Sequence, residues 1–436
     1  MISKPILSIV STLTFGALFC FSFLSLNAQT RKPNIIVILA DDMGYADIEP
    51  YGAKDIKTPN LNRLAREGVK LTNFYSNGPN CTPTRAALMT GRWQQRIGLE
   101  WATSPKSTSA TELPLAENTI AETLKKSGYT TAIFGKWHLG YDIKRGPLQH
   151  GFDEFFGILA GNADMYSHYY RTTLYDLWEG DKEARKDGYL TDLLSDKAVD
   201  FIDQNASKPF FLYVPYNAVH WPFQAPGNPK DIRTMENYFD GTREEYAKML
   251  ERMDYGVGQI MQALDKNKLA DDTLVIFTND NGGERLSNNA PLFHHKSTLW
   301  EGGIRVPCLM RWKGKLPAGK VSDQIGITMD LTATAIAIAG ANPPRKLDGM
   351  NLIPLLQTKA SVVSRDLFWR SNQAHMAQRA IRSGQWKYLA EGENQLLFDL
   401  DADIGERKNL FYQNQSKAKE LRLKFEAWEK AVATNE

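Results

Sequence analysis

Cys81 stands in a setting that favours chemistry on an anion. The run Asn80-Cys81-Thr82-Pro83-Thr84-Arg85 leads into Ala86-Ala87-Leu88-Met89-Thr90-Gly91-Arg92. Pro83 suits a first helical turn and Gly91 a helix end, so the spacing predicts a short helix with Cys81 at or just before its N-terminus. Free backbone N–H groups and the helix dipole favour negative charge there. Arg85, four residues on, can return its guanidinium to the same end. A nucleophile, a positive helix end and a basic side chain describe a site for a tetrahedral oxyanion.

The elements that must position this site are legible as apolar runs. Ile35-Ile36-Val37-Ile38-Leu39 runs into Asp41 and Asp42, and Thr131-Ala132-Ile133-Phe134 into Lys136 and His138. Phe210-Phe211-Leu212-Tyr213-Val214 leads to Asn217 and His220, and Leu274-Val275-Ile276-Phe277 to Asn279, Asp280 and Asn281. Runs of this kind read as strands buried on both faces of a mainly parallel sheet. Between them, Asn60 to Gly68, Asn118 to Gly128 and Met253 to Leu264 read as helices, so the class is α/β, a large mainly parallel sheet flanked by helices. Ligands of open α/β sheets bind beyond the carboxyl ends of the strands, which gathers all four polar clusters at one edge. From residue 366 the texture changes to short strand-like pieces (Asp366 to Trp369, Gln378 to Ile381, Trp386 to Leu389, Leu396 to Leu400) and a charged helix from about Gln415 to Val432. This predicts a small antiparallel sheet plus helix over 366–436, following a main domain over 29–365.

Composition excludes some partners. With 52 Lys and Arg against 50 Asp and Glu, the formal charge is +2, too balanced for nucleic-acid binding or a polybasic membrane surface. Any affinity for an anion must be local. Lys4, the apolar run Pro5 to Leu26, and Asn27-Ala28-Gln29 form a secretory leader over 1–28, which places the mature chain in the periplasm or outside the cell. An uncleaved N-terminal anchor is the rival reading, and Ala17-Leu18-Phe19-Cys20 makes a poor lipobox. No later segment is apolar enough to cross a bilayer, so no stable membrane insertion is expected. The mature chain keeps Cys81 and Cys308. A disulfide between them is the plain reading in an oxidising compartment, but it would block the nucleophile, and Arg305-Val306-Pro307-Cys308-Leu309-Met310 reads as a buried strand in which free Cys acts as a small hydrophobe.

Cys-x-Pro-x-Arg followed five residues later by Thr-Gly resembles the signature of type I, formylglycine-dependent sulfatases of the alkaline phosphatase superfamily. The resemblance implies that Cys81 is oxidised by a formylglycine-generating maturation enzyme, and that the aldehyde hydrate is the nucleophile. Thr84 departs from the family's usual Ser. Asp41-Asp42 and Asp280-Asn281 resemble the family's Ca²⁺ ligands, with residue 81 completing the metal set; such hard oxygen donors suit Ca²⁺ or Mg²⁺ better than zinc. Either pair alone would read as helix-capping residues. Gly135-Lys136-Trp137-His138-Leu139-Gly140 is similar to the family segment supplying a catalytic Lys and His. His220, in Ala218-Val219-His220-Trp221-Pro222, matches the second active-site His. Lys296, five residues before Glu301-Gly302-Gly303-Ile304-Arg305-Val306-Pro307, matches the second Lys.

Within the family, Gly151-Phe152-Asp153-Glu154-Phe155-Phe156-Gly157, Met165-Tyr166-Ser167-His168, Pro291-Leu292 and Leu299-Trp300-Glu301-Gly302-Gly303 resemble the N-acetylgalactosamine-4-sulfatase (arylsulfatase B) branch. Phe293-His294-His295 departs from that branch, which carries a basic stretch there. The implied substrate is a sulfated galactose or N-acetylgalactosamine. Trp93, Trp101, Tyr166, Tyr169 and Trp221 could stack on sugar rings or serve as core. The competing readings are a phosphonate or phosphate-ester hydrolase of the same superfamily, and a glycan-binding protein with unmodified Cys81.

Overall fold

The structure, a computed structural model, describes residues 1–2, 31–104, 112–227, 232–357, 362–372 and 377–433. The leader expected over 1–28 lies outside the described residues except for its first two. The sheets and helices of the described residues belong to Lys32–Glu436. Among the described residues no helix is long and apolar enough to cross a membrane.

Four strands form the centre of a ten-stranded sheet, in the spatial order Thr273–Asn279, Asn34–Ala40, Phe210–Pro215, Thr130–Lys136. All three pairings are parallel. These are the four apolar runs, and their common direction brings their carboxyl ends to one edge. Cys308–Arg311 joins antiparallel to Thr273–Asn279, so the sheet is mixed towards that side.

The two-residue period of a strand divides each run between two cores. Ile36, Ile38 and Ala40 pack with Leu61, Leu194, Phe201, Met253 and Val257 of helices Pro59–Arg66, Leu190–Gln204 and Arg243–Lys266. Ile35, Val37 and Leu39 pack on the other side with Ala86, Leu88, Ile120, Leu124 and Leu331 of helices Cys81–Thr90, Ile120–Lys126 and Met329–Ile338. The helix expected over Met253 to Leu264 begins ten residues earlier, at Arg243. Thr242 and Glu245 form a capping box there, and Tyr246, Met249 and Leu250 extend the buried stripe. The charged residues between them mask that stripe in the sequence.

The antiparallel sheet expected beyond residue 366 is present as Asp366–Ser371, Gln378–Ser383, Trp386–Glu391 and Asn394–Asp399. Helix Gln415–Ala433 packs on it through Leu421, Phe425 and Trp428. Trp93 belongs to this core, edge-on to Phe368 and Trp428, which removes it from the candidate sugar-stacking residues. Cys81 and Cys308 are both buried and free, so the disulfide is not formed.

Candidate active site

Helix Cys81–Thr90 starts at Cys81 itself and ends at Gly91, whose φ of 67° takes the left-handed conformation that closes helices. The helix is buried throughout, and its Asn80 cap makes no side-chain capping bond, so the backbone donors of the first turn keep their capacity for an anion. Thr84 Oγ1 accepts from the Gly78 amide and donates to the Gly78 carbonyl, both at 3.1 Å, fastening the approach to Cys81. A serine hydroxyl could make the same pair of bonds.

Asp41 and Asp42 follow the Asn34–Ala40 strand, and Asp280 and Asn281 follow the adjacent Thr273–Asn279 strand. Ligand atoms of Asp41, Asp42, Asp280 and Cys81 all lie within 4.8 Å of one another, and all four residues are buried. Cys81 Sγ is 3.7 Å from Asp41 Oδ1. Asp42 sits at φ 60° and His138 at φ 54°, a region most non-glycine residues avoid, and such positions concentrate where function over-determines the backbone. Asn279 clamps the turn, its side chain accepting from the Met43 amide and donating to the Met43 carbonyl.

Three cations face the three carboxylates. Arg85 reaches Asp280 at 2.8 Å and 3.2 Å and donates to the Lys136 carbonyl at 2.8 Å. Lys136 Nζ is 2.6 Å from Asp41, and Lys296 Nζ 2.6 Å from Asp42. Lys136 and His138 arrive from the Thr130–Lys136 strand, where Gly135 at φ 144° lies against the neighbouring Pro215 carbonyl. A Cβ there would come within 2.0 Å of that oxygen, which accounts for the glycine opening this segment.

Burial raises Asp41 well above the usual carboxylate range, with Lys136 opposing. Burial would also raise Asp42, but Lys296, His220 and Lys136 together hold it below that range. Burial pushes the Cys81 thiol up, so the unmodified side chain is a thiol rather than a thiolate. Lys296 is held charged by Asp42 in spite of its burial.

The two imidazoles differ in what their partners leave free. His138 Nε2 faces the Thr103 carbonyl at 3.1 Å, and a carbonyl only accepts, so Nε2 carries the proton. Its Nδ1 is buried with no partner. Burial first, then Lys136 and Arg85, hold His138 well below the ordinary histidine range, so it is neutral. His220 Nδ1 faces the Trp221 carbonyl at 2.7 Å, leaving Nε2 for the site, 3.4 Å from Asp42. Burial lowers His220 as well, with Asp42 opposing.

The donor chemistry fits a hard divalent cation. Three carboxylates and the Asn281 amide supply oxygens, and Asn281 Oδ1 is buried with no hydrogen-bond partner while its Nδ2 donates to Asp42 at 2.8 Å. An orphaned buried carbonyl oxygen beside three carboxylates is a ligand atom awaiting a cation.

The catalytic and metal-binding candidates singled out in the sequence therefore all meet at one edge of the sheet. Two partners, Thr103 and Glu284, were not foreseen, and Asn279 was named without its role. Thr103 positions His138 through a backbone carbonyl, which leaves no side-chain signal. Asn279 was legible only as one of a polar strand-end cluster. Glu284 lies 3.8 Å from Lys296 and accepts from Trp221 Nε1 at 3.1 Å, and its place four residues after Asp280 was the available hint.

A mixed, mostly parallel sheet with this strand-end cluster is the arrangement of an alkaline phosphatase-like hydrolase. The chain belongs to the sulfatase family: the model described as Sulfatase matches residues 33–341, and one described as N-sulphoglucosamine sulphohydrolase, C-terminal, matches 291–432. It is a sulfuric ester hydrolase. N-acetylgalactosamine-6-sulfatase of Homo sapiens is 36% identical over 379 residues, covering 80% of this chain and 70% of the human protein. Among solved structures, Ps i-CgsB in complex with k-i-k-neocarrahexaose is 35% identical with a TM-score of 0.84, covering 91% of this chain and 93% of that one. The PsFucS1 sulfatase from Pseudoalteromonas sp. is 26% identical with a TM-score of 0.78, covering 93% and 91%.

Proposed function

We propose that this protein hydrolyses the sulfate ester of a sulfated carbohydrate, a galactose or N-acetylgalactosamine sulfate, using formylglycine at position 81 and one Ca²⁺ at Asp41, Asp42, Asp280 and Asn281. The observation that carries the reading is the buried cluster in which Cys81 heads a helix against three carboxylates and three cations. The human relative's name supports the sugar, as does the hexaose held by the 35% identical structure. A secretory leader over 1–28, the reading its Lys4 and apolar run favour, accords with export to the periplasm or medium, where such polymers are met.

When bound, Ca²⁺ would supply positive charge to the sulfate oxygens and to the reacting oxygen of residue 81. Formylglycine would supply a hydrate, one hydroxyl to attack sulfur and a second to expel sulfate afterwards. Lys136 and Lys296, held by Asp41 and Asp42, fix two ammonium groups where charge develops on the sulfate, and being preorganised they need no rearrangement as it does so. Arg85, fixed by Asp280, steadies the helix end. His220 Nε2, beside the charged Lys296, would pass a proton to the sugar oxygen as the sulfur–oxygen bond breaks. That proton has to be taken up from solvent with the substrate, because the resting ring is neutral with its hydrogen on Nδ1. His138 is already neutral with Nδ1 free, the state required to take the proton of the second hydroxyl so that sulfate can depart.

Mass spectrometry of the Cys81 peptide should show a loss of about 18 Da on conversion to formylglycine. Sulfate and phosphate monoesters of one phenol, assayed side by side, should show the sulfate turned over faster. Turnover retained by Cys81→Ala would sink the scheme.

A further inference from the structure

Beside Lys296 lies a cavity of about 400 Å³, lined by Glu284, Arg285, His294, His295 and Arg407 among others. It adjoins the reaction centre through Glu284, whose Oε2 is 3.8 Å from Lys296 Nζ. Charge in this cavity is unbalanced. Two guanidiniums stand against one carboxylate, and that carboxylate is engaged by Trp221 and Lys296. Among the described residues neither Arg285 nor Arg407 has an acidic partner. Each lies over an aromatic ring instead, Arg285 5.8 Å from the centre of Phe223 and Arg407 4.3 Å from that of Phe293. Many arginines of the body are paired with carboxylates, as Arg243 is with Asp47 and Asp55 and Arg370 with Glu100 and Glu429, and what sets Arg285 and Arg407 apart is that both line one cavity beside Lys296.

A guanidinium laid on a ring keeps the N–H groups of its edge available for two-point contact with a carboxylate or sulfate. The Arg407 loop is also held in place. Its neighbour Glu406 accepts from the Glu301 amide at 2.6 Å and pairs with buried Lys387 at 2.8 Å, which ties the loop to the helix just after Lys296. His294 and His295 add imidazole groups to the same wall. The segment that lacks the branch's basic stretch, Phe293-His294-His295, thus regains positive charge from Arg285 before it and Arg407 far beyond it.

We infer that this cavity is a subsite for a second anionic group, a sulfate or a carboxylate, carried by the sugar next to the one that loses its sulfate. The inference rests on the sulfated-carbohydrate reading and sharpens it: the preferred substrate is a polyanionic oligosaccharide rather than an isolated sulfated sugar.

The test uses the full mature chain with four substrates: 4-nitrophenyl sulfate, and three galactosaminyl disaccharides sulfated at the reacting ring whose neighbouring ring is neutral, sulfated, or a uronic acid. Wild type should turn over a charged-neighbour disaccharide with kcat/KM about 10- to 100-fold above the neutral one, chiefly through KM, the scale of one or two charge-assisted contacts. Whichever of the sulfated and uronic arms is preferred names the group. The double variant Arg285→Gln with Arg407→Gln should erase that preference and leave 4-nitrophenyl sulfate within about twofold of wild type; both side chains are exposed, so folding is spared. The corresponding double lysine variant should keep part of the preference. An active wild type with no preference for a charged neighbour overturns the inference alone, as does a double variant that falls equally on all four substrates. A wild type inactive on every sulfate ester overturns the functional reading with it.

Discussion

Lys387→Met removes a cation shared by two buried carboxylates. Lys387 Nζ lies 2.9 Å from Glu301 and 2.8 Å from Glu406, and all three side chains are wholly buried. Removing one partner of a buried ion pair costs about 3–5 kcal/mol, because the remaining charge has no compensation. Glu301 would keep Tyr75 at 2.7 Å and Arg305 at 3.1 Å, so the loss falls mainly on Glu406. Burial pushes the Glu406 carboxyl up to about 7 even with Lys387 opposing, whereas Glu301, which burial would also raise, is held at about 2 by Lys387, Arg305 and Arg382.

The sign of the pH dependence follows from these shifts. A carboxyl raised in the folded state stabilises fully below its ordinary value of 4.5, and that stabilisation is lost as pH rises through about 7. Glu301, being depressed, contributes in the opposite sense, above its ordinary value and lost only as pH falls through about 2. Without Lys387 the Glu406 shift grows, so the variant suffers most near pH 8 and least near pH 5, where Glu406 keeps its proton. A body of about 400 residues unfolds with about 0.8 kcal/mol per degree of entropy, so 4 kcal/mol corresponds to about 5 °C. Thermal unfolding followed by calorimetry should show Tm lowered by about 5 °C at pH 8 and about 2 °C at pH 5. Adding Glu406→Gln should restore roughly half of the loss at pH 8. Equal losses at the two pH values, or none at pH 8, would refute the account of this triad.

Three further outcomes test the proposed site. Asn281→Leu removes the orphaned Oδ1, and calorimetric titration should show Ca²⁺ binding weakened at least about tenfold; chelation of wild type should lower Tm by about 3 °C, reversed by Ca²⁺. His138→Ala should lower kcat about 10²- to 10⁴-fold with KM little changed, since the base acts after the substrate is bound; an equal rise in KM would place His138 in binding instead. Thr84→Ser should keep both bonds to Gly78, whereas Thr84→Val forfeits them, destabilising by about 1–3 kcal/mol in urea unfolding.

The sequence made legible what depends on local pattern. The four central strands are continuous apolar runs, and parallel strands must send their polar ends the same way, so the convergence of Asp41, Lys136, His220 and Asp280 at one edge followed from the fold class. Helix Cys81–Thr90 was bounded by Pro83 and Gly91, both acting locally. The remainder depended on distance in space. Nothing near Lys387 in the chain announces Glu301, 86 residues away, and nothing near Arg407 announces Arg285. The His138 tautomer is set by a backbone carbonyl, for which any residue at position 103 would serve. Trp93 was ambiguous because a tryptophan beside the motifs suits a core as well as a sugar, and only its contacts with Phe368 and Trp428 decide between them.

Selection of an anion by so balanced a chain follows from charge accounting within the cluster. Three carboxylates and three cations, all buried or nearly so, leave it close to neutral. This arrangement holds no excess charge at a distance, in keeping with a chain whose formal charge is +2. A divalent ion among Asp41, Asp42, Asp280 and Asn281 would make the same volume doubly positive, and a sulfate monoester with its single charge would leave it positive still. The remaining charge is then free to favour the transition state, where negative charge shifts onto the leaving oxygen. A phosphate monoester carrying two charges would neutralise the cluster in the ground state and gain less from it on the way to reaction. The orphaned Asn281 oxygen, the strained backbone at Asp42 and His138, and the partnerless His138 Nδ1 are each unfavourable in the protein alone. On the proposed reading, ion and substrate would supply what the chain leaves unsatisfied at these positions.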